Sequence, residues 1–70
     1  MIEVYKTDLI NEQLAQEIKQ IIEKEVPNCK ISLDLEDRDH IVRVQASPKA
    51  IVAVEALLEF MLVQFEPLPT

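Results

Sequence analysis

The pattern of apolar residues predicts a single small α+β domain, one antiparallel sheet backed by two helices. Three observations carry this expectation. Three segments alternate apolar and polar residues with the two-residue period of half-buried strands. Two others repeat apolar residues at spacings of three and four, the period of an amphipathic helix. They follow one another as strand, helix, strand, strand, helix, and a weaker alternation near the C-terminus supplies a sixth element.

The first strand is read from Ile2, Val4 and Lys6 alternating with Glu3, Tyr5 and Thr7. Asp8 to Asn11 breaks that pattern. From Glu12, apolar residues at Leu14, Ala15, Ile18, Ile21, Ile22 and Val26 form one stripe, with Glu17, Lys19, Gln20, Glu23 and Lys24 opposite. Asn11 is suited to cap this helix, and Glu12 sits favourably at the positive end of its dipole. Pro27 ends it, because a residue before proline is pushed out of the helical region. Lys30 to Glu36 and His40 to Ala46 alternate again as a hairpin, with a charged turn between them. Facing Leu35 with Val42, Leu33 with Val44 and Ile31 with Ala46 leaves a tight loop. The chain has no glycine, so a loop from Asp37 to His40 is expected rather than a two-residue turn. Ser47-Pro48 opens the second helix with a capping hydroxyl and a proline at the first helical position. Glu55 and Glu59 mark its solvent face. No glycine or asparagine marks its end, and residues 62–67 are read as a last strand rather than as more helix.

This order is satisfied most simply by a ferredoxin-like βαββαβ arrangement with both helices on one face of an antiparallel sheet. Right-handed crossovers place the first strand beside the third, with the second and last strands at the edges. The expected core is Ile2, Val4, Leu14, Ile18, Ile21, Ile22, Ile31, Leu33, Leu35, Val42, Val44, Ile51, Val54, Leu58 and Phe65. The open sheet face is expected to show Glu3, Tyr5, Lys30, Ser32, Asp34, Glu36, Ile41, Arg43 and Gln45.

Composition narrows the function classes. Seventy residues build one domain, and 13 acidic against 7 basic residues give a net charge of −6. That balance argues against binding nucleic acid or an anionic membrane surface, both of which reward clustered Lys and Arg. Without glycine there is no phosphate-cradling loop. One cysteine and one histidine do not make a disulfide framework or a Cys/His zinc site within one chain. No apolar run approaches the roughly 20 residues that span a bilayer. The start Met1-Ile2-Glu3-Val4-Tyr5-Lys6 has neither a basic nor an apolar signal region, and a cytoplasmic location is expected.

With these elements placed, the chain resembles the heavy-metal-associated domain family, the copper-chaperone-like ferredoxin folds. The likeness runs through Ile2-Glu3-Val4-Tyr5, the following helix, Cys29-Lys30-Ile31-Ser32-Leu33-Asp34-Leu35, His40-Ile41-Val42-Arg43-Val44 and the Ser47-Pro48 helix entry. The resemblance implies the fold. It also implies a soft-metal site of two cysteines, two residues apart, between the first strand and first helix. Here that junction reads Thr7-Asp8-Leu9-Ile10-Asn11-Glu12-Gln13, which offers only carboxylate, amide and hydroxyl oxygens. Soft cations need thiolate, so the metal function is not expected to follow the fold.

The remaining candidates are weak as chemistry. Asp34, Glu36, Asp37 and Asp39 beside His40 form an acidic cluster, but an EF-hand loop counted from Asp34 would need glycine at Asp39 and glutamate at Gln45. They are read as a solvated hairpin tip. Cys29 and His40 fall at opposite ends of the hairpin, roughly 26 Å apart at about 3.3 Å per strand residue, too far to act together. Tyr5 and Arg43 are expected to face each other on the open sheet as a packing pair. Val52, Ala56 and Val63 lie near the polar side of the second helix, as contact surface or under the C-terminal tail. No catalytic, cofactor-binding or metal-binding residue is assigned. The expected function is a non-catalytic interaction or regulatory domain, working through an edge strand or the second helix on a protein partner or a second copy. Two alternatives stay open: a metal-handling protein with an intersubunit Cys29 site, and a small-molecule sensor at a dimer interface.

Overall fold

The computed structural model describes residues 1–69. Its elements are β1 (Ile2–Thr7), α1 (Glu12–Glu25), β2 (Lys30–Asp34), β3 (Ile41–Gln45), α2 (Pro48–Phe60) and β4 (Phe65–Pro67). The four strands form one antiparallel sheet in the order β2-β3-β1-β4, the ferredoxin-like arrangement that the element order implies. Both helices contribute to one core: Ala15, Ile18 and Ile22 from α1, and Ile51, Val54 and Leu58 from α2.

The helix starts form as their sequences dictate. The Asn11 side chain accepts the Leu14 N–H at 3.0 Å, and Ser47 Oγ accepts the Ala50 N–H at 3.2 Å with Pro48 just behind it. α1 ends at Glu25, with Val26 as its C-cap directly before Pro27.

The end of α2 is less ordinary. The Leu62 N–H returns to Glu59 O and the Val63 N–H to Leu58 O, both at 3.0 Å, which is a Schellman cap. This motif needs a left-handed residue at Leu62, whose φ is 61°. After the cap the chain re-enters the core at Val63, and the last strand is only Phe65–Pro67 rather than 62–67. Two other described residues have positive φ, Asn28 at 64° and His40 at 48°, types that visit this region more readily than leucine.

Several expected placements are corrected. β1 presents its other face to the helices: Tyr5 and Thr7 are buried, while Ile2 is 56% exposed. Val4 pairs with Arg43 and Ile2 with Gln45 on the open side, and Tyr5 pairs with Val42. Tyr5 therefore does not face Arg43. The reason lies at the strand's end, where the alternative face would bury the Lys6 ammonium in place of the Thr7 hydroxyl. Thr7 Oγ1 donates to His40 O at 2.7 Å and accepts the Leu9 N–H at 3.2 Å. Tyr5 Oη donates to Glu55 Oε2 at 2.8 Å, so Glu55 faces inward and does not mark a solvent face. Ile41 lies on the open side of the sheet, yet it is buried.

The β2–β3 hairpin is shifted by two residues from the expected register. Ile31 pairs with Val44 and Leu33 with Val42, and the connection runs from Leu35 to His40. A two-residue shift keeps every side chain on its face, so the apolar pattern does not distinguish the two registers. The turn decides it. Asp37 Oδ1 accepts the Asp39 N–H at 2.9 Å, the His40 N–H returns to Asp37 O at 2.9 Å, and Ala46 is engaged by Met1 O. Leu14 and Ile21, expected in the core, are 47% and 45% exposed, whereas Leu9, Val26 and Val63 are buried.

Two outcomes follow from this packing. Burial first, then the hydrogen bond and charge of Glu55 and last the charge of Glu3, push the Tyr5 phenol well above its ordinary value of 10.0. The neutral phenol is thus the folded form. Its contribution is fully present below pH 10 and is lost as pH rises through the elevated folded-state value. Urea unfolding followed from pH 8 to pH 12 is expected to show that loss in the wild type and not in Tyr5→Phe. The variant itself is expected to be about 1–2 kcal/mol less stable at neutral pH, because Glu55 loses its donor. Conversely, Leu62→Gly relieves a left-handed leucine and is expected to stabilise by about 1 kcal/mol. Thermal unfolding reads this as a rise of roughly 4–8 °C.

Candidate functional site

The chemistry-bearing residues singled out in the sequence do not converge. Cys29 precedes β2 and His40 precedes β3, at opposite ends of the paired strands. Asp37 spends a carboxylate oxygen on its own turn, and Asp39 lies 3.8 Å from the Lys6 ammonium. His40 Nδ1 lies 3.3 Å from Leu35 O. Among the described residues, no three His, Cys, Asp or Glu side chains gather as a metal's ligands would.

Cys29 is half-buried and free. Burial, and secondarily the charge of Glu23, push its thiol above the ordinary value. Glu23 is held in place because it accepts the Ile31 N–H at 3.0 Å. That contact also occupies a donor on the outer edge of β2, which blunts the edge against pairing with another strand.

Of the residues flagged as surplus apolar surface, Val52 is 68% exposed and Ala56 is exposed, but Val63 lies past the end of α2 and is buried in the core. The more developed surface lies elsewhere, between α1 and the end of α2. Here a groove of about 360 Å³ opens, with Leu9, Ile18 and Val63 as its buried floor. Leu14 and Ile21 line it from α1, and Met61 and Leu62 from the α2 cap. Ile10, at 79% exposure, and Leu62, at 87%, stand at its rim.

Both rim residues are held out by their backbones. Ile10 belongs to the loop between β1 and α1, which is tied down on each side. The Asp8 N–H donates to Gln64 O at 3.2 Å, the Gln64 N–H donates to Asp8 Oδ1 at 3.1 Å, and Asn11 caps α1. Leu62 is fixed by the Schellman cap. The groove is therefore preformed, and an occupant pays little to order it. Among the described residues its charged lining is Asp8 and Glu17, with no cation.

Sequence reasoning missed this groove because Leu14 and Ile21 fit the core stripe of α1. The available signal was Leu9-Ile10, two apolar residues in a loop, together with the apolar run Phe60-Met61-Leu62 where a helix stop was due.

No family model, curated protein or solved structure matches this chain.

The environment of Cys29 gives a chemical check. Since only the thiolate attacks disulfide reagents, a raised thiol reacts slowly at neutral pH. Cys29 is expected to react with a chromogenic disulfide several-fold more slowly than free cysteine at pH 7.5, and to approach the free rate when the chain is unfolded in urea.

Proposed function

We propose that this chain is a non-catalytic interaction domain, built on a layout like that of the heavy-metal-associated domain without its metal loop, and that it works through the α1–α2 groove. One observation carries the reading: Leu62 is a leucine in a left-handed position and is 87% exposed. Backbone preference favours glycine or asparagine there, and internal packing asks for no side chain. A residue that costs folding energy and contributes little to the core is accounted for by contact with something outside the chain. Ile10, Leu14 and Ile21 extend that surface, and exposed apolar residues gathered around a concavity mark binding sites on small soluble domains.

The intersubunit Cys29 metal reading has less support. A thiol pushed up by burial and by Glu23 is a poor source of thiolate. Native mass spectrometry of the reduced protein with equal Cu(I) or Zn²⁺ separates the two readings: one metal per dimer, lost in Cys29→Ser, would replace the interaction reading with the metal one.

The direct test is a ¹⁵N–¹H titration with a short amphipathic helical peptide carrying leucines at positions i, i+3, i+4 and i+7. Shifts are expected to centre on Ile10, Leu14, Ile21 and Leu62. Leu62→Gly is expected to bind about tenfold more weakly, a loss of about 1.4 kcal/mol, while unfolding at a higher temperature than the wild type. Shifts confined to the open sheet face, or unchanged affinity in Leu62→Gly, would overturn the assignment of the groove.

A further inference from the structure

The geometry points to a basic amphipathic helix of a partner protein as the occupant of the groove. This inference rests on the reading above and adds the partner's secondary structure and charge.

The occupant's form follows from what the groove offers. Its walls are side chains from α1, from the loop after β1 and from the α2 cap, not the free backbone groups of a strand. The sheet edges, where an extended peptide would add, are obstructed. On β2 the Ile31 N–H is already taken by Glu23, and at the β4 edge Pro67 and Pro69 have no N–H to give. An apolar trough flanked by a helix is instead the setting for helix-in-groove recognition. The row Leu14, Ile18 and Ile21 runs two helical turns, roughly 10 Å, and matches an i to i+7 set of apolar anchors on the incoming helix.

The occupant's charge follows from the rim. Asp8 and Glu17 line the groove without a cation. Asp8 already accepts the Gln64 N–H, whereas Glu17 is exposed and makes no ion pair among the described residues. On α1, Lys24 lies two turns beyond Glu17, past Ile21. A second copy of this chain would bring its own Asp8 and Glu17 against the same rim, between molecules that each carry −6. Like charges set opposite each other across an apolar contact oppose association. Lysine or arginine beside the partner's anchors would instead pair with Glu17 as the leucines seat between Leu14 and Leu62.

Three 16-residue helical peptides with identical leucine anchors and Lys, Gln or Glu at the flanking positions test this by calorimetry against the intact chain. The Lys peptide is expected to bind about tenfold more tightly than the Glu peptide at low salt, with the gap closing as salt screens the rim. Glu17→Lys, an exposed substitution, is expected to abolish that preference, and Leu62→Ser to weaken all three peptides. Equal binding of the three peptides, still weakened by Leu62→Ser, overturns the charge assignment and leaves the groove as a contact surface. Failure of all three together with self-association dispersed by Leu62→Ser makes the occupant a second copy, overturning the basic-helix inference alone. Binding that neither Glu17→Lys nor Leu62→Ser alters, or no binding and no self-association, removes both this inference and the groove reading.

Discussion

Tyr5 is the side chain around which this small core is organised. It is fully buried in the strand that lies between β3 and β4. Its ring meets Phe65 of β4 edge-on, with centroids 5.5 Å apart, and it pairs across the sheet with Val42. Its hydroxyl reaches Glu55 of α2. One residue thus links the central strand, both neighbouring strands and a helix. In a 70-residue chain, where the buried fraction of surface is small, such a large side chain supplies a substantial share of the apolar burial. Its polar tip must then be satisfied, and Glu55 is the group that satisfies it. The two ends of the chain are joined by the same arrangement, because β4 lies along β1 and the Leu68 N–H donates to Val4 O at 2.8 Å.

The absence of glycine shapes the rest. Among the described residues three places are left-handed, and the chain fills them with Asn28, His40 and Leu62. Asn28 is a common choice. His40 lies in a turn that Asp37 holds through its own carboxylate and carbonyl, with the imidazole close to Leu35 O. At Leu62 no such local compensation exists, and the side chain stands in solvent. The cap itself is sound: its two hydrogen bonds are made, and Val63 and Leu58 on either side are buried. Strain confined to one exposed residue of a well-formed cap is what sets this position apart from the other two.

The architecture was legible in the sequence because every element carried its own signal. Asn11, Ser47-Pro48 and Pro27 each act locally, and each fixes a helix boundary by the mechanism its residue type supplies. Strand order followed from connection handedness, which does not depend on side-chain detail. What escaped were choices between near-equal alternatives. β1 offers Ile2 and Val4 on one face and Tyr5 and Thr7 on the other. Counting apolar residues favours the first face, whereas the position of Lys6 and the area of the tyrosine ring decide for the second. The hairpin register was lost because both pairings bury Leu33, Val42 and Val44. The groove was hidden for a related reason, since a stripe with apolar residues at Leu14, Ile18, Ile21 and Ile22 looks like one core face. In the folded chain it divides, with Ile18 and Ile22 buried and Leu14 and Ile21 left half in solvent.

That division is physically informative about α1. A helix needs only a stripe of about 100° to pack on a sheet, and Ala15, Ile18, Ile22 and Val26 already supply it. Leu14 and Ile21 widen the apolar arc toward the α2 cap, where Met61, Leu62 and Val63 line the groove with them without covering them. Had α2 run on through Gln64, about one further turn of helix would have taken the place of the cap. The left-handed Leu62 therefore has two consequences at once: it ends α2 short, which leaves Leu14 and Ile21 beside an open space, and it adds its own side chain to the rim of that space. The same residue that weakens the fold locally creates the concavity and part of its apolar wall. The carboxylates of Asp8 and Glu17 then set the sign of the field at its mouth. Shape, apolarity and charge at this site thus trace to the α2 cap, the loop after β1 and the flank of α1 beside them.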